Sequence, residues 1–366
     1  MSRLMEATVI ATRTLHDLGQ SLWLDTITRD LLENGTLKRY IEELSLTGLT
    51  SNPTIFDQAI SRSASYDGEI RKLRAEGRST EEVFCELALQ DITRAADLFM
   101  PIHRRTAGCD GFVSLEVSPL LAHETEKTVA QALMLHRKAA RSNLFIKIPG
   151  TREGLPAIEE AIFSGVPVNV TLLFSREHYL AAADAYQRGL ERRIAAGQSP
   201  DVHSVASLFL SRWDVAVAKK VPSQLRDQLG LAVGRQAYRA YRDVLESDRW
   251  QRLANAGARA QRLLFASTGT KDPNASDVLY VRGLAAPNTV NTMPEKTLLA
   301  FADHGEVAGV LPPNGGDAEQ VLAAFQRAGF DLGQLTAQLQ EEGAKSFVSS
   351  WKDLMATIET KGKKLG

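Results

Sequence analysis

Eight short β-branched or aliphatic runs recur along the chain, each ending in a polar tip and followed by an amphipathic, helix-like stretch. They are SLWLDT (21–26), SLTGLTSNP (45–53), GFVSLEVSP (111–119), LFIKIPG (144–150), PVNVTLLF (167–174), HSVASLFLS (203–211), LLFAST (263–268) and NTVNTMP (288–294). Strand then helix, eight times over, predicts an α/β fold of the closed parallel (β/α)8 kind, a TIM barrel. The main rival, an open doubly wound sheet, is expected to carry a glycine-rich GxGxxG turn after its first strand, and this chain has none. The 366 residues would also suit two average domains. No Gly/Ser linker divides them, so a single barrel domain over 1–366 is expected. Extra length falls at 55–110, at 215–261 and in a helical extension at about 317–366, which is expected to pack around or over the barrel.

Alternate residues of a strand face opposite sides, so parity sorts each run into a helix-facing and a barrel-facing set. In LFIKI, Leu144, Ile146 and Ile148 share one side, and Phe145 and Lys147 point into the barrel. The same count turns Trp23 and Asp25, Ser114 and Glu116, and Asn169 and Thr171 inward, leaving Val168, Val170 and Leu172 against helices. It also pairs Ser207 with Phe209, Phe265 with Ser267, and Thr50 with Asn52 at the tip of the second run. A purely structural barrel interior is filled by branched aliphatics, whereas inward polar residues near the C-terminal strand ends line an active-site mouth.

A lysine among apolar walls loses solvation of its charged form, which lowers its pKa, and catalytic lysines reach roughly 7–8 in this way. The neutral amine can attack a ketone, and the Schiff base it forms is an electron sink that lets a neighbouring carbon–carbon bond break. Asp25 and Glu116 are the inward carboxylates available to move protons. Asn52, Asn169, Thr171 and Ser207 can hold hydroxyls or orient a water. Arg212 after the sixth run and Lys271 after the seventh are loop cations suited to a phosphate. Bland readings compete: Lys147 as a buried ion pair with Glu116 or Asp25, Asp25 as a helix N-cap, and Asn52 before Pro53 as turn chemistry.

Composition narrows the remaining classes. With 43 Lys+Arg against 44 Asp+Glu, there is no electrostatic case for nucleic acid or an anionic membrane. The first twenty residues lack the apolar core of a signal peptide, and no run approaches a membrane span, so a cytoplasmic protein is expected. Cys85 and Cys109 read as packing residues, and the seven histidines show no zinc spacing, so no metal or other cofactor is expected.

GLTSNPTIF (48–56) and LFIKIPGTREGL (144–155) resemble the two signatures of the transaldolase family, class I Schiff-base enzymes of the pentose phosphate pathway. The similarity continues through LEVSP, VNVTLLFS, VASLFLSRWD, ASTGTKDP and VNTMPEKT, close to the whole chain, and is greatest to the longer bacterial branch. The resemblance implies transfer of a dihydroxyacetone unit from sedoheptulose 7-phosphate to glyceraldehyde 3-phosphate, giving erythrose 4-phosphate and fructose 6-phosphate. It implies that Lys147 forms the Schiff base, that Asp25 is the acid/base at the cleaved bond, and that Glu116 acts through a water that Thr171 helps position. Asn52, Asn169 and Ser207, with Thr50 beside them, would bind the dihydroxyacetone portion, and Arg212 with Ser267 the phosphate. Many members carry a second phosphate arginine where this chain has Gly269, and Lys271 is the candidate substitute. The implied partners are phosphorylated sugars, with the chain a monomer or homodimer. Two alternatives stay open: a fructose 6-phosphate aldolase, whose members resemble shorter chains with tyrosine at the Glu116 position, and a catalytically silent sugar-phosphate-binding barrel.

Overall fold

The computed structural model describes residues 10–365, and in it the eight runs form eight strands. These are β1 (Ser21–Leu24), β2 (Leu46–Thr50), β3 (Val113–Glu116), β4 (Leu144–Pro149), β5 (Val168–Leu173), β6 (Ser204–Phe209), β7 (Arg262–Ala266) and β8 (Val290–Met293). They follow one another in order around a closed parallel barrel, with β8 pairing back onto β1 through Ser21↔Val290 to Leu24↔Met293. Helices between consecutive strands cover the outside, so the strands are buried on both faces, apolar toward the helices and in several strands polar toward the barrel interior.

Local chemistry sets where the helices begin. Thr80–Arg105 opens on a capping box in which the Ser79 hydroxyl accepts from Glu82 N and the Glu82 carboxylate accepts from Ser79 N. Arg176–Ala195 is capped by Ser175, and Pro53–Arg62 by Asn52 with Pro53 in the first helical position.

Partners in a parallel ladder share a face, so the register tests the parity reading. Glu116↔Lys147 and Lys147↔Asn169 put these three side by side inside the barrel, with Pro149↔Thr171 one layer nearer the C-terminal strand ends. Ser207 pairs with Leu264 and Leu208 with Phe265, so Arg262, Leu264 and Ala266 face inward and Phe265 faces the helices, opposite to the sequence expectation. The reason lies at Ser267, whose left-handed backbone (φ +55°) breaks the alternation from which Phe265 was counted. Leu172 departs in the same way: its φ of +59° coincides with a register shift between Val170 and Leu173. Its side chain therefore leaves the helix-facing layer and packs beside Gly343.

The N-terminal floor of the barrel is aromatic and tightly paired. Phe112 stacks on Phe145 at 4.1 Å between centroids, and Trp23 lies 6.0 Å from Phe145. Gly48 makes room for the indole, since a Cβ there would sit 2.6 Å from Trp23 Nε1. Asp110 accepts from Trp23 Nε1 (2.9 Å), Gly111 N (3.0 Å) and the Ser21 hydroxyl. Arg262 donates to Ser21 Oγ, Thr289 O and Cys109 O, and its Nε alone is left over. Cys109 itself is exposed rather than packed.

The extra length forms helices at the expected places, among them Thr80–Arg105, Leu229–Glu246 and, from the tail, Ala318–Arg327 and Leu332–Leu365. The last of these crosses the C-terminal mouth of the barrel. Gln340 Nε2 donates to Gly150 O (3.1 Å) and Leu172 O (3.0 Å), carbonyls just after β4 and near the end of β5.

Candidate active site

Lys147 is 4% exposed and reaches two oxygens, Ser51 O at 3.1 Å and Glu116 Oε2 at 3.3 Å. The first is a hydrogen bond. The second is an ion pair by distance, yet neither Glu116 oxygen has an aligned hydrogen-bond donor among the described residues. Burial pushes the Glu116 carboxyl above the ordinary carboxylate range, with Lys147 opposing and Asp25 adding to the rise. The ion-pair reading of Lys147 is thus realised in geometry, but the pair is sparsely supported for a structural bridge. A stabilising buried pair needs its remaining lone pairs satisfied.

Asp25, just past β1, accepts from Thr50 Oγ1 at 2.8 Å, and Thr50 also lies 3.2 Å from Thr292 Oγ1 on β8. The N-cap reading of Asp25 does not hold: the following helix, Arg29–Glu33, is capped by Thr28, whose hydroxyl accepts from Leu31 N. Asp25 therefore stays available at the mouth with one oxygen engaged. Asn52 does cap its helix, through Oδ1 accepting from Ile55 N (3.0 Å), which leaves the amide nitrogen as a donor.

A hydrogen-bonded chain runs across the next strands: Ser207 Oγ donates to Asn169 Oδ1 (2.7 Å), and Asn169 Nδ2 donates to Ser114 Oγ (3.1 Å). It fixes which end of the Asn169 amide is donor and which is acceptor. Thr171 Oγ1 is fully buried without a partner among the described residues. Orphaned Glu116 and Thr171 oxygens, one layer apart, are the kind of unsatisfied polar groups that call for a functional explanation.

Arg212, in the helix Ser211–Val217 that follows β6, is part-buried and makes no ion pair or hydrogen bond among the described residues. Its guanidinium lies over the Phe209 ring (5.2 Å) and near the Phe347 ring (5.9 Å). Burial lowers its pKa, opposed by Asp25 and Glu342. Ser267 Oγ lies 2.8 Å from Ser211 Oγ at the start of the same helix. Lys271 is exposed and lines a cavity of about 400 Å³ that adjoins the site at Ser211, with Asp214, Asp227, Asp272 and Tyr280. Asp214 in that cavity already accepts from Tyr280 OH, Leu229 N and Gly230 N.

Sequence reasoning missed two contributors. Ser51 offers a main-chain carbonyl, invisible to residue type. Phe347 comes from the last helix, and its ring centroid lies 5.9 Å from Lys147 Nζ. Among the described residues no group of three His, Cys, Asp or Glu side chains is placed to hold a metal ion, and no helix is long and apolar enough to cross a membrane.

A family model described as Transaldolase/Fructose-6-phosphate aldolase matches residues 22–358. Curated relatives named Transaldolase include one from Saccharopolyspora erythraea, 47% identical over 94% of this chain and 95% of its own. Another, from Thermobifida fusca, is 46% identical over 94% and 96%, and one from an Arthrobacter species is 44% identical over 95% and 96%.

Proposed function

This chain belongs to the transaldolase/fructose-6-phosphate aldolase family and has the activity of a transaldolase, and from that premise we propose that it transfers a dihydroxyacetone unit between sugar phosphates through a Schiff base on Lys147. The observation that carries this reading is the Lys147 amine, enclosed at the C-terminal barrel mouth 3.3 Å from a carboxylate whose own oxygens are unsatisfied. Lys147 Nζ attacks the C2 ketone of sedoheptulose 7-phosphate. Glu116, through a water that Thr171 also holds, protonates the departing hydroxyl, and burial favours the protonated carboxyl this step requires. Asn169, Ser207 and the Asn52 amide nitrogen bind the hydroxyls of the three-carbon unit, with Thr50 behind Asp25.

Asp25 takes the proton from the C4 hydroxyl, the C3–C4 bond breaks, and erythrose 4-phosphate leaves. The iminium nitrogen recovers its lone pair, and the electron pair of the broken bond becomes the C2=C3 double bond of an enamine. Its C3 adds to the aldehyde of glyceraldehyde 3-phosphate, Asp25 returns the proton, and hydrolysis of the Schiff base releases fructose 6-phosphate. Arg212 and Ser267 hold the phosphate, with the unpaired guanidinium as the main anchor and Lys271 as an auxiliary cation. The reaction sits in the non-oxidative pentose phosphate pathway of the cytoplasm, with the protein a monomer or homodimer and no nucleic-acid partner. Glu116, in place of the tyrosine of the aldolase-like members, supports transfer over release.

Borohydride reduction in the presence of fructose 6-phosphate tests the assignment. The expected product is a covalent three-carbon adduct on the peptide containing Lys147. An adduct on another peptide, or none, rejects it.

A further inference from the structure

The last helix does more than cover the mouth; it brings one apolar side chain to both cations of the site. Phe347 is 3% exposed, and its ring centroid stands 5.9 Å from Lys147 Nζ and 5.9 Å from Arg212 Cζ. Among the described residues it is the one ring that faces both. Its placement is not left to a loose tail. Gln340, two helical turns earlier on the same face, is bonded to Gly150 O and Leu172 O. Ser350 Oγ lies 2.7 Å from Thr54 Oγ1, Thr357 donates to Asp57 (3.2 Å), and Lys361 pairs with Asp67 (2.7 Å). Gly343, one turn before Phe347, lets the helix come down: a Cβ there would stand 2.9 Å from Leu172 Cδ2 and 3.2 Å from Arg212 Nη1.

We infer that Phe347 is a positioning residue that walls the lysine-bound three-carbon unit off from water, and so sets the split between transfer to an acceptor and release of free dihydroxyacetone. The inference rests on the Schiff-base reading of Lys147. After cleavage the enamine has two fates. In transfer its carbon forms a bond to the acceptor aldehyde. In release the same carbon takes a proton from water, hydroxide or water adds to C2 of the resulting iminium, the C–N bond breaks, and one water is consumed per dihydroxyacetone and free amine formed. Release needs a proton from bulk water at the enamine carbon, so a ring shielding the three-carbon unit suppresses it, while the water held by Glu116 and Thr171 still serves Schiff-base formation and hydrolysis in the transfer cycle. The same π face attracts the cationic iminium and the Arg212 guanidinium, which keeps the ring between them.

The test uses the full chain carrying Phe347→Leu or Phe347→Ala. Free dihydroxyacetone and transfer product are measured in the same reactions with fructose 6-phosphate, with and without an aldose phosphate acceptor, beside borohydride trapping. The expected result is a release-to-transfer ratio raised roughly tenfold in Phe347→Ala and less in Phe347→Leu, with the Lys147 adduct still forming in both. Phe347→Leu carries the test if the alanine variant does not fold. A ratio within about twofold of the parent in the folded variants, or release and transfer falling together, overturns the role of Phe347 while leaving Lys147 in place. Absence of an adduct in the parent protein removes the Schiff-base reading and this inference with it.

Discussion

The two ends of the barrel interior hold similar residue types, but their carboxylates are engaged to different degrees. At the floor, Asp110, Ser21, Trp23 and Arg262 hydrogen-bond one another or neighbouring main chain, beneath the stacked Phe112 and Phe145 rings. At the mouth, Glu116 and Thr171 have oxygens without partners and Arg212 has no ion pair among the described residues. A buried carboxylate held by several donors favours one arrangement, whereas one without donors is a desolvated group ready for an incoming ligand. In a parallel barrel the floor is where side chains serve stability and the mouth is where they serve chemistry. Here the division shows in the carboxylates: Asp110 accepts from three donors, whereas Glu116 accepts from none among the described residues.

Substitutions at the two ends should therefore fail in different ways. Lys147→Met should lower the transfer rate by at least roughly 10³-fold, with only a modest fall in thermal midpoint, because the buried Glu116 carboxyl left without its cation can take up a proton. A coupled assay beside a thermal melt checks both, and retained activity would place the chemistry elsewhere. Asp110→Ala should do the reverse, costing about 2–4 kcal/mol of stability in urea titration by stranding buried donors, while the turnover of folded protein stays near that of the parent. Arg212→Lys, which loses the planar fork, should raise KM for phosphorylated donors by about 10-fold with little change in kcat. Donors lacking the phosphate should be unaffected.

The smallest effect is in the pH dependence of stability. Burial raises the Glu116 carboxyl pKa in the folded state, so as pH rises from the ordinary glutamate value to the raised one, the unfolded chain has lost a proton that the folded chain keeps. Stability contributed by this site is then present at low pH and lost as pH rises through that window. Glu116→Gln should flatten that slope in denaturation curves taken across pH, and an unchanged slope would show that Glu116 is not the titrating group.

The strands were legible because each keeps an apolar helix-facing set, and eight such runs with intervening helices admit few closed topologies. Parity placed Asp25, Glu116, Lys147, Asn169 and Ser207 correctly inside. It failed for Phe265 and Leu172, beside the left-handed residues Ser267 and Leu172 itself, because counting by twos assumes an unbroken pleat. The pairing of Asn169 with Ser207 depends on barrel register, which a single strand does not encode. Phe347 was hidden for a different reason: helical spacing shows that a face is apolar, not which opening it covers.

The helix Leu332–Leu365 also carries a consequence for the order of synthesis. Ribosomes make the chain from its N-terminal end, so all eight strands and every side chain proposed for the chemistry exist before Phe347 does. The mouth gains its last wall only when a segment some two hundred residues beyond Lys147 returns across β4 and β5. The wall between the lysine-bound unit and bulk water is therefore the last part of the site to be made.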